Sequence, residues 1–228
     1  MLKLENIDVI LNQGTSLERS ILKNLNLELA RGDFLILRGD NGAGKSTVFN
    51  VISGHQRPQR GRIFLEDIDI TNAPQHKRAE DISLVMQDPR MGTLENMSIE
   101  ENLSFAYLRG KKRGFQWASS SSRRAFFQEK LSLLGMGLEG RLETLVSHLS
   151  GGQRQALSLI MAILRNSKLL LLDEITAALD PKLSESLMEL THKIISENNL
   201  TAMMITHNPQ HQETYGTRAL ILKNGTLV

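Results

Sequence analysis

Five short apolar runs decide most of what this chain can become: FLIL at 34–37, ISLVM at 82–86, LLLL at 169–172, AMMIT at 202–206 and ALILK at 219–223. A strand with one wet face alternates apolar and polar residues, whereas a strand covered on both faces is apolar along its length. Runs of this length with helical spacing between them predict an α/β fold, a parallel sheet wrapped by helices. At 228 residues, 40% of them hydrophobic, the chain can bury one such core, and a single domain is expected.

Residues 1 to about 32 follow a different pattern. MLKLENIDVILNQG alternates polar and apolar residues, and Leu25, Leu27 and Leu29 alternate with Asn26 and Glu28 before a turn at Arg31, Gly32 and Asp33. That periodicity predicts an antiparallel layer. The N-terminal stretch lacks the apolar core of a secretory signal, and no window approaches 18 uninterrupted apolar residues, since Arg165, Asn166, Ser167 and Lys168 separate SLIMAIL from LLLL. No membrane-spanning segment is expected. Residues 89 to about 156 carry helical spacing without buried strands, which predicts a helical insert between core segments 1–88 and 157–228. The serines at 119–122, flanked by Lys111, Lys112, Arg113, Arg123 and Arg124, read as a solvated loop. Lys and Arg number 27 against 25 acidic residues, and with 4% aromatics the net charge of +2 makes no case for a nucleic-acid partner. The absence of cysteine excludes disulfides, thiolate catalysis and Cys-ligated zinc.

The run FLIL opens onto Gly39, Asp40, Asn41, Gly42, Ala43, Gly44, Lys45, Ser46 and Thr47, which fits G-x-x-x-x-G-K-[ST] between a strand and a helix expected from Lys45 to a close at Gly54. Gly39, Asn41, Gly42, Gly44, Ser46 and Thr47 would wrap phosphates with backbone amides. Lys45 would reach the β and γ phosphates, and the Ser46 hydroxyl would bind Mg²⁺. Such a site needs a carboxylate at the end of a neighbouring strand, and Asp173 follows four leucines there. Glu174, next in line, suits a general base for water. Gln87 ends ISLVM, where it would touch Mg²⁺ or the attacking water; His207 ends AMMIT, where it would donate to the γ-phosphate. Singly, these two are an ordinary strand-end amide and surface histidine. Asp180 precedes Pro181 as an N-cap would.

LSGGQRQALSLIMAIL at 149–164 poses a question, because Gly151 and Gly152 each cost up to about 1 kcal/mol relative to alanine in a helix. Either Ser150 caps a helix that starts late, or bare amides at a positive helix end are offered to an anion. Taken in order, residues 39–47, Gln87, LSGGQ at 149–153, residues 169–174, the trio Ala178, Leu179 and Asp180, and His207 resemble the ATP-binding cassette (ABC) ATPases over essentially the whole chain. The resemblance implies a P-loop NTPase (RecA-like) core with an N-terminal antiparallel β layer and an inserted α-helical subdomain. It implies two cassettes that sandwich two ATP molecules head to tail, as a homodimer or a paired cassette. Ser150, Gly151, Gly152 and Gln153 of one subunit would then grip the γ-phosphate held by the other, with Asp180 in the nucleotide-binding set. Mg²⁺, Lys45 and His207 would stabilise charge while Glu174 orients water. Where many cassettes stack an aromatic on adenine, this chain has Leu11 and no aromatic in its first 33 residues. Ile175 replaces the proline or histidine often found there.

The phrases VMQDPRMGTLENMSIEENL and LLLLDEITAALDPK are similar to those of bacterial importer-like cassettes of the tryptophan or small-solute type. That implies a cytoplasmic ATPase subunit, peripheral on the inner face of the membrane. It would work on a transmembrane permease docked near residues 87–99, with a solute-binding protein in the same system. The alternative is a soluble cassette regulating translation or DNA repair; its relatives carry tandem cassettes, long coiled coils or basic tails, and none is visible here.

Overall fold

The computed structural model describes residues 1–110, 120–165, 167–177 and 179–228. In chain order the elements begin β1 (Leu2–Leu11), β2 (Arg19–Leu29), β3 (Phe34–Arg38), α1 (Lys45–Ser53), β4 (Arg60–Leu65), β5 (Ile68–Asp69), α2 (Gln75–Arg78) and β6 (Ile82–Val85). A helical stretch follows: α3 (Pro89–Gly92), α4 (Ile99–Tyr107), α5 (Ser121–Ser132) and α6 (Gly151–Ile163). The chain closes with β7 (Leu169–Asp173), α7 (Pro181–Glu197), β8 (Thr201–Ile205), α8 (Pro209–Tyr215), β9 (Arg218–Lys223) and β10 (Thr226–Leu227).

The strands form two sheets. A six-stranded sheet has the order β10-β9-β3-β8-β7-β6, parallel except for the last hairpin, and a four-stranded antiparallel sheet has the order β2-β1-β4-β5. The apolar runs are continuous because the parallel strands feed two cores at once. Leu35, Leu37, Leu169, Leu171, Met203 and Ile205 pack toward α1 and the antiparallel sheet. Their alternates Ile36, Leu170, Leu172 and Met204 pack with Ala156 and Leu159 of α6 and Leu187 of α7 on the opposite face. A third core, built on Leu103, Phe127, Leu131 and Ile160, holds the helical stretch together, and α6 contributes to both it and the sheet core.

Parallel pairing also sets where the loops emerge. Leu37 and Asp173 both pair with Ile205, and Val85 pairs with Leu172, so the segments after β3, β6, β7 and β8 leave the sheet at one edge.

Three expectations change. The sequence pattern gave no sign of the β4–β5 hairpin, whose first strand lengthens the antiparallel layer by pairing with β1. The run at 219–223 is a strand but lies next to the short edge strand, and while Leu222 is fully buried Ile221 is 49% exposed, so the run is buried in part and not along its length. The serine-rich loop is shorter than expected: Ser120 accepts from the Arg123 N–H as an N-cap, and Ser121, Ser122, Arg123 and Arg124 open α5. Residues 111–119, which hold Lys111, Lys112, Arg113 and Ser119, and Asn166 and Ala178, lie outside the described residues.

Candidate functional site

Helix ends sort the chain's polar features. Helices α4, α6 and α7 are closed at their N-termini by the Ser98, Ser150 and Asp180 side chains, and Asp180 accepts from the Leu183 N–H at 3.1 Å. Helix α1 is not: its N-cap is Gly44, with no side-chain cap and no acidic residue in the first turn, so its leading N–H groups are free for an anion. Gly44 has φ +105°, and a Cβ there would lie 2.9 Å from Leu22 Cδ2 and 3.2 Å from Ile21 Cγ2. Only glycine lets this loop press against β2 while keeping its amides bare.

The bare loop lines an open cleft of about 500 Å³. It is walled by Asn41, Gly42, Gly44, Lys45, Ser46 and Thr47, by Gln87, Glu174 and His207, and by Arg19 and Ile21. Lys45 is buried and donates to the carbonyls of Gly39 (2.7 Å) and Asp40 (3.1 Å), so the loop is folded around its own ammonium group. Glu174 follows the last residue of β7 in a left-handed backbone conformation (φ +45°), which turns the chain out of the strand. Both its oxygens are held: Gln87 Nε2 donates to Oε2 at 3.2 Å, and His207 Nε2 lies 2.9 Å from Oε1. Three residues far apart in sequence thus form one bonded group.

Burial raises the pKa of Asp173, beside Glu174, to about 6; the Glu174 charge adds to the rise and Lys45 opposes it. A carboxylate pushed toward its neutral form next to a second carboxylate suits a divalent cation, which would favour its ionised form. With the Ser46 hydroxyl and the Gln87 amide it offers the few hard oxygen donors that Mg²⁺ takes from protein when phosphates and water complete the shell.

The structure does not bring every expected residue to this cleft. Ser150, Gly151, Gly152, Gln153 and Asp180 are absent from its lining, as are Gly39, Asp173 and Leu11. Ser150 and Gln153 form a capping box, each accepting the other's backbone N–H at 3.2 Å. The two glycines that follow differ. Nothing lies within 4 Å of a Cβ built on Gly151, whereas one on Gly152 would overlap the Leu183 side chain and lie 3.5 Å from Leu179 Cδ2. Gly152 thus lets α6 sit close to the start of α7 of its own chain, a reason the sequence pattern did not suggest. From α6, Gln155 Nε2 donates to the Met86 carbonyl at 3.2 Å and Arg154 Nε to Thr93 Oγ1 at 2.6 Å, so the same helix holds the segment that carries Gln87. Arg19 and Ile21 were not expected either, because their place on the cleft wall arises from a pairing irregularity between strands.

A parallel sheet whose glycine-rich loop presents bare helix amides beside a carboxylate-bearing strand end defines a P-loop nucleotide hydrolase. The chain matches the ABC transporter family over residues 22–177 and belongs to it. It is the ATP-binding, ATP-hydrolysing subunit of an ABC transporter. It is 40% identical to a tyrosine transport ATP-binding protein of Clostridioides difficile, spanning all of this chain and 90% of that one. It is 30% identical to a methionine import ATP-binding protein of Streptococcus agalactiae, spanning all of this chain and 63% of that one. Among solved structures, the dimeric post-hydrolysis state of the ATP-binding cassette MJ0796 bound to ADP and Pi superposes with a TM-score of 0.87 at 28% identity, over all of this chain and 96% of that one. No helix among the described residues is long and apolar enough to cross a membrane.

Two outcomes follow from this geometry. Because the folded pKa of Asp173 lies above its unfolded value, the contribution of Asp173 to stability falls as pH rises from about 4 to 6. In chelator at pH 7, Asp173→Asn is expected to be more stable by about 1–2 kcal/mol in urea unfolding, with the gap closing toward pH 4. Gly151→Ala is expected to leave the melting temperature unchanged or raised, whereas Gly152→Ala loses about 1–3 kcal/mol, less in a Leu183→Ala background.

Proposed function

We infer that this cassette hydrolyses magnesium-bound ATP inside a dimer, residues 150–153 of one copy closing over the triphosphate held by residues 41–47 of the other. One observation carries the reading: none of residues 150–153 lines the open cleft beside the phosphate loop of its own chain, while Ser150 and Gly151 stand exposed at a helix N-terminus. Each copy thus supplies half of a site twice over. The dimeric, product-bound state of the similar cassette supports it.

In this arrangement Lys45 and the α1 amides hold the β and γ phosphates, with electrostatic stabilisation as the main catalytic term. Glu174 accepts a proton from the attacking water. Gln87 and His207, each bonded to one of its oxygens, aim that carboxylate, and His207 is placed to donate to the γ-phosphate. Ser46, Asp173 and Gln87 would hold Mg²⁺, which supplies positive charge against the phosphate oxygens. Closure follows from differential contact: triphosphate favours the joined pair, and its cleavage removes those contacts.

The joined pair works on a separate membrane permease at the cytoplasmic face. The contact lies over residues 87–99, where Met91 (71% exposed) and Leu94 (46%) form an apolar surface joined to α6 through Thr93 and Met86. The helical stretch 89–156, with the core on either side, is the subdomain that carries this surface. The names of the relatives, transport or import of tyrosine, methionine and thiamine, support import of a small organic solute with a solute-binding protein in the same system.

Glu174→Gln is expected to bind ATP as wild type does, to lose at least about a hundredfold in turnover, and to elute as an ATP-dependent dimer in size-exclusion chromatography. A variant that stays monomeric with bound ATP, or that turns over normally, contradicts the proposal.

A further inference from the structure

The cleft has a chemical polarity that fixes how a nucleotide lies in it. Gln87, Glu174 and His207 form one bonded group, and the γ-phosphate must meet them because that is where water is activated. The remaining wall comes from the other sheet: Arg19 and Ile21 of β2. Arg19 Nη2 lies 3.9 Å from where a Cβ on Gly42 would stand, and Ile21 Cγ2 lies 3.2 Å from the same point on Gly44. With the γ-phosphate at the carboxylate, the α-phosphate, ribose and base extend toward β2.

Strand pairing explains why these two side chains reach the cleft. Val9 pairs with Leu22, but the next residue, Ile10, pairs with Ser20, so Ile21 is an extra residue without a cross-strand partner. A bulge of this kind bends the strand and re-aims its side chains. It lets Leu22 stay in the core while Ile21 stands over the phosphate loop.

Among the exposed arginines Arg31 and Arg90 are paired with carboxylates, whereas Arg19, like Arg57, Arg60 and Arg62, has no hydrogen-bond or ion-pair partner among the described residues; of these unpaired arginines, Arg19 is the one that lines the cleft. Among the described residues, no Phe, Tyr or Trp lines the cleft. Leu11 pairs directly opposite Arg19 and so shares its sheet face, supporting the arginine from the next strand without reaching the cleft.

We propose that Arg19 and Ile21 form the nucleobase platform, the planar guanidinium lying against the purine face and Ile21 packing beneath the ribose. This rests on the ATP-binding reading above. A guanidinium stacks on a π face through dispersion and cation–π attraction; a lysine keeps the charge but lacks the planar stacking surface, and a leucine lacks both. Base recognition thereby passes from an aromatic ring on β1 to a cation on β2.

Calorimetric titration with two ligands, ATP and inorganic tripolyphosphate, in magnesium-containing buffer separates the possibilities. Arg19→Ala is expected to weaken ATP about tenfold and to leave tripolyphosphate within twofold of wild type, which also shows that the variant is folded. Arg19→Phe, which restores a stacking surface without charge, is expected to recover most of the ATP affinity. Equal loss of both ligands would assign the guanidinium to a phosphate and overturn the proposal, as would unchanged ATP binding in Arg19→Ala. Failure of the wild type to bind ATP while holding tripolyphosphate would instead remove the ATP reading beneath it.

Discussion

Burial of both faces of the parallel sheet is the constraint on which the rest of this molecule depends. Because β3, β7 and β8 feed cores on both sides, their backbones are locked in one register, and a slip of one residue would exchange the two cores. That lock brings the phosphate loop, Gln87, the Asp173 and Glu174 pair and His207 to one edge from four separate stretches of chain. The chemistry is carried by loops, but its precision comes from the leucines behind them.

Electrostatics at that edge are arranged so that a ligand completes them. Lys45 is held by carbonyls and not by a carboxylate, Asp173 is driven toward its neutral form, and the first turn of α1 keeps its N–H groups bare. A triphosphate with a divalent cation answers all three at once. Elsewhere several such groups are answered within the chain: Ser98, Ser150 and Asp180 cap their helices, and Arg31, Arg90 and Arg124 have carboxylate partners.

Helix α6 joins three regions that the sequence presents separately. Its first turn carries the exposed Ser150 and Gly151, Gly152 admits Leu183 of α7, and Gln155 and Arg154 hold Met86 and Thr93 on either side of Gln87. A displacement at its N-terminus therefore has rigid contacts to follow toward Gln87 and toward Asp180, through side chains that pack or hydrogen-bond directly.

Sequence alone determined the doubly covered sheet, the phosphate loop and the strand-end positions of Gln87, Asp173, Glu174 and His207, because unbroken apolar runs and a nine-residue loop pattern are local signals. Family membership was equally legible, since the LSGGQ stretch and its order relative to the other motifs survive as text. Tertiary structure alone decided that Gly152 serves a contact within its own chain, that Ser150 and Gln153 lie outside the cleft, and that Arg19 and Ile21 form its far wall in place of Leu11. It also decided the β4–β5 hairpin and the partial exposure of β9. The physical reason is common to all of these. Each depends on which strand or helix lies opposite, a bulge or a missing Cβ being meaningful only against its partner, and cross-chain pairing over tens of residues leaves no local periodicity to read.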